Sequence, residues 1–355
     1  MGRKVRLPGL IDVHTHLREP GATQKEDFES GSKAAIAGGY TAILDMPNNP
    51  IPTTTPEALD QKINLAKGRL YCDVGFNFGA TANNSEILNQ VQDRVFGLKV
   101  YMNHTTGDLL MEDEMALEDV FSKWPKGKVI MVHAEGETLQ KAINLAKKFG
   151  SKLHVCHVST KFQIELIKKA KQEGLEISCE VSCHHLFLTS VDGKKLGPYG
   201  MMRPPLASAE DQQALWNNMD VIDMIASDHA PHTKDEKSKI PTPNGVPGLE
   251  TSLPLLLTAV NEGKLTIERL IELTSKNPRR IFNIPEQKET FVEVDMTIPY
   301  TLTSRTLYTK CHWTPFEGRK VVGKIKKVVL RGKVVFENGQ VFGPYGQILS
   351  PGVTP

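Results

Sequence analysis

The sequence predicts an α/β fold, a (β/α)8 TIM barrel with a small β-rich appendage. Apolar, β-branched runs alternate along the chain with segments that have the periodicity of amphipathic helices. This alternation is the pattern of parallel βαβ units. Polar and ionisable residues follow the apolar runs, so they lie at the carboxyl ends of the predicted strands. Functional groups of such barrels lie at that end.

Eight apolar runs are the candidate barrel strands. They cover residues 7–13, 40–46, 72–80, 95–98, 129–132, 153–156, 175–179 and 221–227. The predicted helices between them cover residues 25–37, 56–70, 112–123, 135–149, 161–173 and 209–218. Beyond the helical segment that ends near residue 282 the alternation stops, and residues 321–342 are typical of β-hairpins, with turn signals at Arg331-Gly332 and Asn338-Gly339. We therefore predict a barrel over residues 5–285 and a β-rich extension over residues 286–355, with a linker tail from Gly343.

Composition narrows the class of protein. The chain has 355 residues, enough for one large barrel, with 43 basic and 41 acidic residues. This balance gives no support for binding nucleic acid or an anionic membrane through a global field. The five cysteines are odd in number and scattered, which favours a reducing compartment. No apolar run approaches the ~20 residues that span a bilayer, and no signal peptide opens the chain, so we expect a cytoplasmic protein.

The paired histidines His14 and His16 end the first apolar run. Side chains two apart on a strand point to the same face, and Arg18 follows on that face if the strand geometry continues. Two imidazoles side by side can bind one metal ion. A guanidinium just beyond them suits an anionic group of a substrate.

Further candidate ligands follow later strands. Asp228 could complete the metal shell of His14 and His16, while His133 and His157 could serve a second ion. Histidine and carboxylate ligands suit zinc.

Lys99 also ends a predicted strand, although a cationic amine does not bind a cation. Desolvation among metal ligands favours the neutral amine, which can add carbon dioxide to form a carbamate that bridges two metals. Two metals about 3.5–4 Å apart can generate hydroxide at neutral pH and polarise a carbonyl. Asp228 would then carry the proton. The reaction class that these residues indicate is hydrolysis of an amide-like bond, or its reversal.

Several segments carry a specific resemblance. They are Asp12-Val13-His14-Thr15-His16-Leu17-Arg18-Glu19-Pro20-Gly21, Asp45-Met46-Pro47-Asn48, Ser227-Asp228-His229-Ala230-Pro231-His232, Pro247-Gly248-Leu249-Glu250-Thr251, Asn277-Pro278-Arg279-Arg280-Ile281-Phe282 and His312-Trp313-Thr314-Pro315-Phe316-Glu317-Gly318. They resemble the dihydroorotases of the amidohydrolase superfamily, in particular the dihydroorotase domain of the animal-type multifunctional protein that also carries carbamoyl-phosphate synthetase and aspartate transcarbamoylase. The resemblance covers essentially the whole chain.

The resemblance implies reversible closure of N-carbamoyl-L-aspartate to L-dihydroorotate in pyrimidine synthesis, in a homo-oligomer that is part of a larger multienzyme polypeptide. It assigns His14, His16 and Asp228 to one zinc, His133 and His157 to a second, and carboxylated Lys99 to both, and it assigns Arg18, Asn48, Arg203 and His232 to the substrate. Arg18 suits the carboxylate of the substrate that does not react, which hydantoinase-like and allantoinase-like enzymes would not need to bind.

The resemblance also implies a mobile loop after Lys99 that brings Thr105 over the substrate. Animal-type members tend to follow this threonine with Phe, whereas this chain has Thr106. The pair of threonines is similar to the loop of some bacterial dihydroorotases.

Some residues keep two interpretations. Strand parity points Cys156 away from His157, which predicts a thiol packed between the barrel and the helices. Glu180 is a carboxylate at a buried strand end, so it needs a partner and could orient a ligand histidine. Alternatively, Cys156 and Glu180 hold a third zinc. His184 and His185 favour packing and loop hydrogen bonds. A dihydroorotase-like scaffold without catalysis is a further alternative, although this chain retains every candidate ligand.

Overall fold

A computed structural model describes residues 4–105 and 107–352 of the chain. Its strands are β1 Lys4–Pro8, β2 Leu10–Thr15, β3 Tyr40–Asp45, β4 Asp73–Phe76, β5 Phe78–Gly79, β6 Gly97–Tyr101, β7 Val129–His133, β8 Lys152–Val155, β9 Ile177–Val181, β10 Met224–Ile225, β11 Phe291–Asp295, β12 Tyr300–Thr301, β13 Lys320–Val321, β14 Lys324–Leu330, β15 Lys333–Glu337 and β16 Gln340–Val341.

The helices follow the same order. They are α1 Phe28–Ala37, α2 Pro56–Ala66, α3 Leu88–Val91, α4 Glu114–Lys123, α5 Glu137–Phe149, α6 Lys161–Gln172, α7 Cys183–Phe187, α8 Ser190–Leu196, α9 Ala209–Asn217, α10 Lys234–Lys237, α11 Leu249–Asn261, α12 Ile267–Ile271 and α13 Asn277–Ile281. Short 3₁₀ turns cover Ser85–Ile87, Gly197–Gly200 and Ser304–Thr306, and a π-helical turn covers Glu272–Lys276. Across the described ranges, every helix is too short or too polar to cross a bilayer.

The parallel strands form the predicted barrel. Strands β2, β3 and β4 pair in that order, and β5 to β10 pair in sequence order. Because β4 and β5 flank a single residue, Asn77, they are two halves of one barrel strand, which joins the two sheets. A parallel bridge between Thr15 and His229, with a hydrogen bond of 2.8 Å from the His16 amide to the His229 carbonyl, closes the barrel.

The barrel interior holds its own apolar cluster, separate from the larger core between strands and helices. Side chains from the strands, including Ile11, Val13 and Met131, pack there with Phe282 and Leu349. Phe282 and Leu349 come from beyond the last strand, and Val129 at the start of β7 belongs to the same cluster. The apolar filling therefore extends to the amino end of the barrel, which leaves the carboxyl end for polar groups.

The β-rich appendage is a five-stranded antiparallel sheet in the order β1-β11-β14-β15-β16. Its two hairpin turns lie where the sequence placed them. Arg331 and Gly332 have φ of 47° and 74°, and Asn338 and Gly339 have φ of 48° and 90°. Positive φ at both central residues is typical of the turn that matches the twist of paired strands.

The first predicted strand, residues 7–13, is two strands in the structure. Leu7 and Pro8 end β1, which pairs with β11 of the appendage, whereas Leu10 begins β2 of the barrel. The apolar run is continuous because Leu7 near the end of β1 and all of β2 are buried, although the two strands belong to different sheets. The N-terminal strand thus fastens the appendage to the barrel.

The C-terminal tail also differs from the prediction. Residues 343–352 do not form a free linker: the Val74 amide donates to the Gln347 carbonyl at 2.9 Å, and the Leu349 amide donates to the Val74 carbonyl at 2.8 Å. Asp73 accepts from the Gln347 amide at 2.8 Å. The proline and glycine content of the tail predicted a linker, but backbone pairing with β4 holds it against the barrel.

Candidate active site

The first group of predicted ligands converges at the carboxyl end of the barrel. His14 belongs to β2, while His16 and Asp228 lie just beyond β2 and β10. Asp228 Oδ1 lies 3.4 Å from His14 Nε2 and 3.3 Å from His16 Nε2. Two ligands at about 2.0–2.1 Å from one tetrahedral zinc are about 3.3 Å apart. The three side chains are buried and have the spacing of a metal site.

The second group lies beside the first. His133 ends β7 and His157 follows β8, and His133 Nδ1 lies 2.8 Å from His157 Nε2. Lys99, in the middle of β6, is fully buried, and its Nζ donates to Cys156 Sγ at 2.9 Å. Burial lowers the pKa of both His133 and His157, and the nearby charge of Lys99 adds to this effect. Lys99 thus lies beside Cys156, which directly precedes His157 in the chain.

The ionisation of the first group suits a cation. Burial lowers the pKa of His16 to about 3, so this ring is neutral, as a metal ligand must be. Burial alone would also lower the pKa of His14, but the carboxylates of Glu180 and Asp228 outweigh it and raise the pKa to about 10. Burial raises the pKa of Asp228, yet the charge of His14 and the hydrogen bond from His16 hold it below its ordinary value. Buried carboxylates around His14 thus favour a positive charge there.

Glu180 connects three parts of the site. Its carboxylate accepts a short hydrogen bond from His14 Nδ1, a bond of 3.0 Å from His154 Nε2 and one of 3.3 Å from the His157 amide. His14 therefore has its Nε2 directed to the Asp228 side. Hydrogen bonding of one imidazole nitrogen to a carboxylate fixes the orientation of a ligand histidine.

The position of the Cys156 thiol differs from the prediction. Strand parity placed its thiol outside the barrel, but Cys156 packs with the barrel interior and lies within reach of Lys99, His14 and Glu180. Strand β8 ends at Val155, and His157 has a φ of 36°. Because the regular alternation stops before Cys156, parity does not apply to it.

Three functional candidates have backbone conformations that L-residues rarely adopt. Arg18, His157 and Asp228 have φ of 63°, 36° and 46°. Each follows the end of a barrel strand, so the condition stated for Arg18, that the strand geometry continues to it, is not met. Such positions cost of order 1–3 kcal/mol each and persist where the surrounding structure imposes them.

One cavity adjoins the ligand groups and is lined by three of the four candidates for substrate binding, Arg18, Asn48 and Arg203. Its lining includes His16, Arg18, Asn48, Thr105, Arg203, Asp228, Ala230, Asn244 and Gly245. The sequence analysis did not identify the last three. His16 Nδ1 donates to Asn48 Oδ1 at 2.8 Å, so Asn48 both lines the cavity and orients a ligand ring. Two guanidinium groups and the first ligand group thus face the same space.

His232 lies behind the cavity wall. It is fully buried, its Nε2 donates to the Asn244 carbonyl at 2.9 Å, and Arg18 Nη2 is 3.3 Å away. Gly245 separates it from the cavity: a Cβ on Gly245, whose φ is 133°, would lie 2.4 Å from the Ala230 oxygen and 3.2 Å from a His232 ring carbon. The Asn244-Gly245 pair, a typical turn sequence, is the feature that could have located this wall from the sequence.

The remaining candidates are placed as follows. His185 Nε2 donates to the Pro204 carbonyl at 3.2 Å, next to Arg203, which is the loop hydrogen bond that was expected. His184 packs on His185 with ring centroids 4.3 Å apart. Thr106, which departs from the animal-type pattern, lies outside the described residues.

Comparisons with known proteins agree with this geometry. Residues 5–335 match the Amidohydrolase family. The chain belongs to this family. It is 48% identical over 348 residues to "Multifunctional protein CAD" of Squalus acanthias, with 97% of the chain and 15% of that protein covered. It is 38% identical over 365 residues to the dihydroorotase of Pyrococcus furiosus, with 97% and 84% covered. The predicted resemblance is confirmed, and the chain spans about 15% of the CAD protein's length.

Solved structures of other amidohydrolases share the fold. An L-hydantoinase (dihydropyrimidinase) from Arthrobacter aurescens superposes with a TM-score of 0.92 at 30% identity, over 98% of this chain and 89% of that one. The inactive dihydroorotase-like domain of a CAD-like protein from Chaetomium thermophilum gives 0.83 at 28% identity, over 98% and 99%. The predicted barrel is thus confirmed.

Proposed function

We propose that this amidohydrolase is a dihydroorotase, which interconverts N-carbamoyl-L-aspartate and L-dihydroorotate. One observation carries the proposal: Arg18 and Arg203 line the same cavity as the ligand residues His16 and Asp228. The names of the relatives, a dihydroorotase and the multifunctional CAD protein, agree with it.

The arginines define the substrate class. The Pro231 carbonyl accepts from Arg18 Nε at 3.1 Å and fixes the guanidinium in the cavity wall. Its two terminal nitrogens then have the fork geometry that binds a carboxylate in bidentate fashion. Both dihydroorotate and carbamoyl aspartate have a carboxylate that does not react, whereas a simple hydantoin has none. Arg18 therefore favours dihydroorotate over the neutral rings of hydantoinases.

Two zinc ions fit the donor set. His14, His16 and Asp228 would hold one, His133 and His157 the other, and carboxylated Lys99 would bridge them. The spacings of 3.3–3.4 Å around Asp228 Oδ1 support the first of these two sites. When bound, the ions would act as Lewis acids on the ring carbonyl and lower the pKa of the attacking water.

Asp228 moves the proton. In hydrolysis, water adds its oxygen to the ring carbonyl carbon and the carbon–nitrogen bond breaks. Asp228 Oδ1 accepts one proton of this water and delivers it to the leaving nitrogen, while the second proton passes to the solvent and a new carboxylate forms. Ring closure uses the same residue in reverse. Thr105, on the loop after β6, would close over the bound ring, with Asn48 and His232 supporting the wall around it.

The carbamate on Lys99 has a direct test. Lys99→Ala should lose most activity and at least one metal, because the bridging anion is gone. Carbon-13 bicarbonate should give a carbamate signal by NMR in the parent protein and none in the variant. Full activity with two bound metals in Lys99→Ala would exclude the carbamate.

Cys156 and Glu180 keep two roles under this proposal. Their ligand atoms and one of His14 lie within 4.8 Å of one another, which fits a third zinc. Glu180 already accepts hydrogen bonds from His14 and His154, which fits orientation of His14, and we favour this role. Anomalous scattering at the zinc edge decides between them: a third peak bonded to Cys156 and Glu180 supports the metal, and two peaks support orientation.

The assembly is also a proposal. Coverage of only 15% of the CAD protein supports a chain that acts within a larger multienzyme polypeptide. We propose a homo-oligomer in the cytoplasm that binds a small-molecule substrate and neither nucleic acid nor membrane. Size-exclusion chromatography with light scattering tests the oligomer.

The decisive assay measures ring closure of carbamoyl aspartate by zinc-loaded protein, beside hydrolysis of a hydantoin. Closure of carbamoyl aspartate with weak hydantoin turnover is expected. Preferred turnover of hydantoin would indicate a hydantoinase. Absence of turnover on both, in protein that binds zinc, would indicate a non-catalytic scaffold.

A further inference from the structure

Lys237 is a buried cation that the proposed reaction does not use. It ends the short helix α10, its side chain is fully buried, and its Nζ lies over the Trp313 ring, 5.5 Å from the centroid. Across residues 4–105 and 107–352, no carboxylate lies within ion-pair distance of this ammonium. Burial lowers the pKa of Lys237 to about 8, and the charge of Arg18 contributes.

Three backbone carbonyls surround the ammonium instead. Lys237 Nζ donates to the oxygens of Met201 at 3.0 Å, Pro243 at 2.8 Å and Gly245 at 3.1 Å. An ammonium has three donors, so these carbonyls use its full capacity. The Gly245 amide also donates to the Met201 carbonyl at 3.0 Å.

These carbonyls belong to two walls of the substrate cavity. Met201 lies two residues before Arg203, and Pro243 and Gly245 flank Asn244; Arg203, Asn244 and Gly245 all line the cavity. One side chain therefore joins the loop that carries Arg203 to the loop opposite it. Burying an ammonium costs free energy, and apolar residues of similar volume often replace buried charges without loss of stability. An apolar side chain could not hold the two loops together, because it has no donors for their carbonyls.

We propose that Lys237 is a positioning residue that fixes the Arg203 loop relative to Asn244 and Gly245, and so sets the affinity of the cavity for its substrate. This inference rests on the proposed function of the cavity. Without the ammonium, the Pro243 and Gly245 carbonyls would lose a buried donor and shift toward water. The distance between the two walls would then change, while the metal ligands and Asp228 would keep their places.

The test uses the zinc-loaded protein with Lys237→Met, and Lys234→Met as the matched control, since Lys234 is exposed on the same helix. For Lys237→Met we expect KM for dihydroorotate to rise about tenfold, the effect of displacing one or two hydrogen-bonding groups. We expect kcat to stay within about threefold of the parent value, because a change that weakens substrate and transition-state binding equally raises KM and leaves kcat unchanged. Lys234→Met should match the parent in both constants.

A folded Lys237→Met with parent KM would overturn the proposal. If that variant does not fold, Lys237→Gln decides, because its shorter amide keeps donors that reach fewer carbonyls. A KM above the parent value then supports positioning, and a parent KM contradicts it. If neither variant folds, Lys237 serves folding and the proposal is wrong. Failure of the parent protein to turn over dihydroorotate would instead contradict the proposed function.

Discussion

Asp228 is held between two histidines, and this position decides what it can do. Because its Oδ1 is within 3.4 Å of both His14 and His16, the same carboxylate would be metal ligand and proton carrier in the proposed reaction. Asp228→Ala should abolish both directions of the reaction, since one residue accepts the proton in hydrolysis and donates it in synthesis. The rates of ring opening and closure at saturating zinc check this. The four histidine ligands should retain some zinc, and closure near the parent rate would make Asp228 a bystander.

Arg18 should determine which ring is accepted. Arg18→Met removes the fork for the carboxylate and should cost on the order of 2–5 kcal/mol of transition-state stabilisation on dihydroorotate. Turnover of a neutral hydantoin, measured on the same preparation, should change little. Equal loss on both rings would show that Arg18 supports the cavity wall rather than the substrate.

Strand β3 and helix α2 are joined by a buried ion pair under the loop that carries Asn48. Lys62 Nζ lies 2.6 Å from Asp45 Oδ2 and donates to the Met46 carbonyl at 2.8 Å and to Asn49 Oδ1 at 2.7 Å. Lys62 and Asp45 are both fully buried. The pair thus holds the loop between the two elements in one conformation.

Breaking this pair should destabilise the protein. Lys62→Met leaves the Asp45 carboxylate buried without its partner and should lower the free energy of unfolding by about 3–5 kcal/mol. Lys33→Met, which breaks an exposed pair with Glu29, should cost about 0–1 kcal/mol. Urea unfolding measures both. A similar small loss in the two variants would mean that water reaches Asp45.

The two ends of the barrel differ in the side chains that they contain. Apolar side chains that include Phe282 and Leu349 belong to the cluster of the barrel interior, whereas the ionisable residues gather at the carboxyl end. Asp73, nearly fully buried, accepts from Gln287 Nε2 at 2.7 Å and from the Gln347 amide at 2.8 Å, and it also pairs with Arg331. The appendage and tail therefore brace the barrel without contributing to the cavity lining described above.

The equilibrium position of the proposed reaction should depend on pH. Ring closure turns one carboxylate into a neutral imide carbonyl and consumes one proton, so the dihydroorotate form gains at low pH. The equilibrium ratio of dihydroorotate to carbamoyl aspartate should rise about tenfold per unit of acidification above the carboxylate pKa, by proton linkage. Chromatography of equilibrated mixtures at several pH values measures this ratio. A constant ratio would show that the assigned reaction is wrong.

Local patterns in the chain are enough to predict the barrel, the ligand candidates and the two hairpin turns of the appendage. Periodicity, strand-end residues and the pairs Arg331-Gly332 and Asn338-Gly339 are local features, and backbone preferences act over a few residues. Parallel strands share one carboxyl end, so the ends of distant strands could be placed together without coordinates. The resemblance to dihydroorotases added the substrate residues.

Three features of the molecule depend on tertiary contacts that local sequence patterns do not specify. The inward thiol of Cys156 depends on where β8 ends, and the division of residues 7–13 into two strands depends on pairing between Leu7 and Val292. The carbonyls around Lys237 come from loops that only packing brings together. Leu7 and Val292, like Lys237 and Met201, are far apart in the chain, and no local pattern specifies which distant partner a residue will contact. Period and turn chemistry fix the elements, whereas the close packing of side chains and buried polar groups fixes how their ends meet.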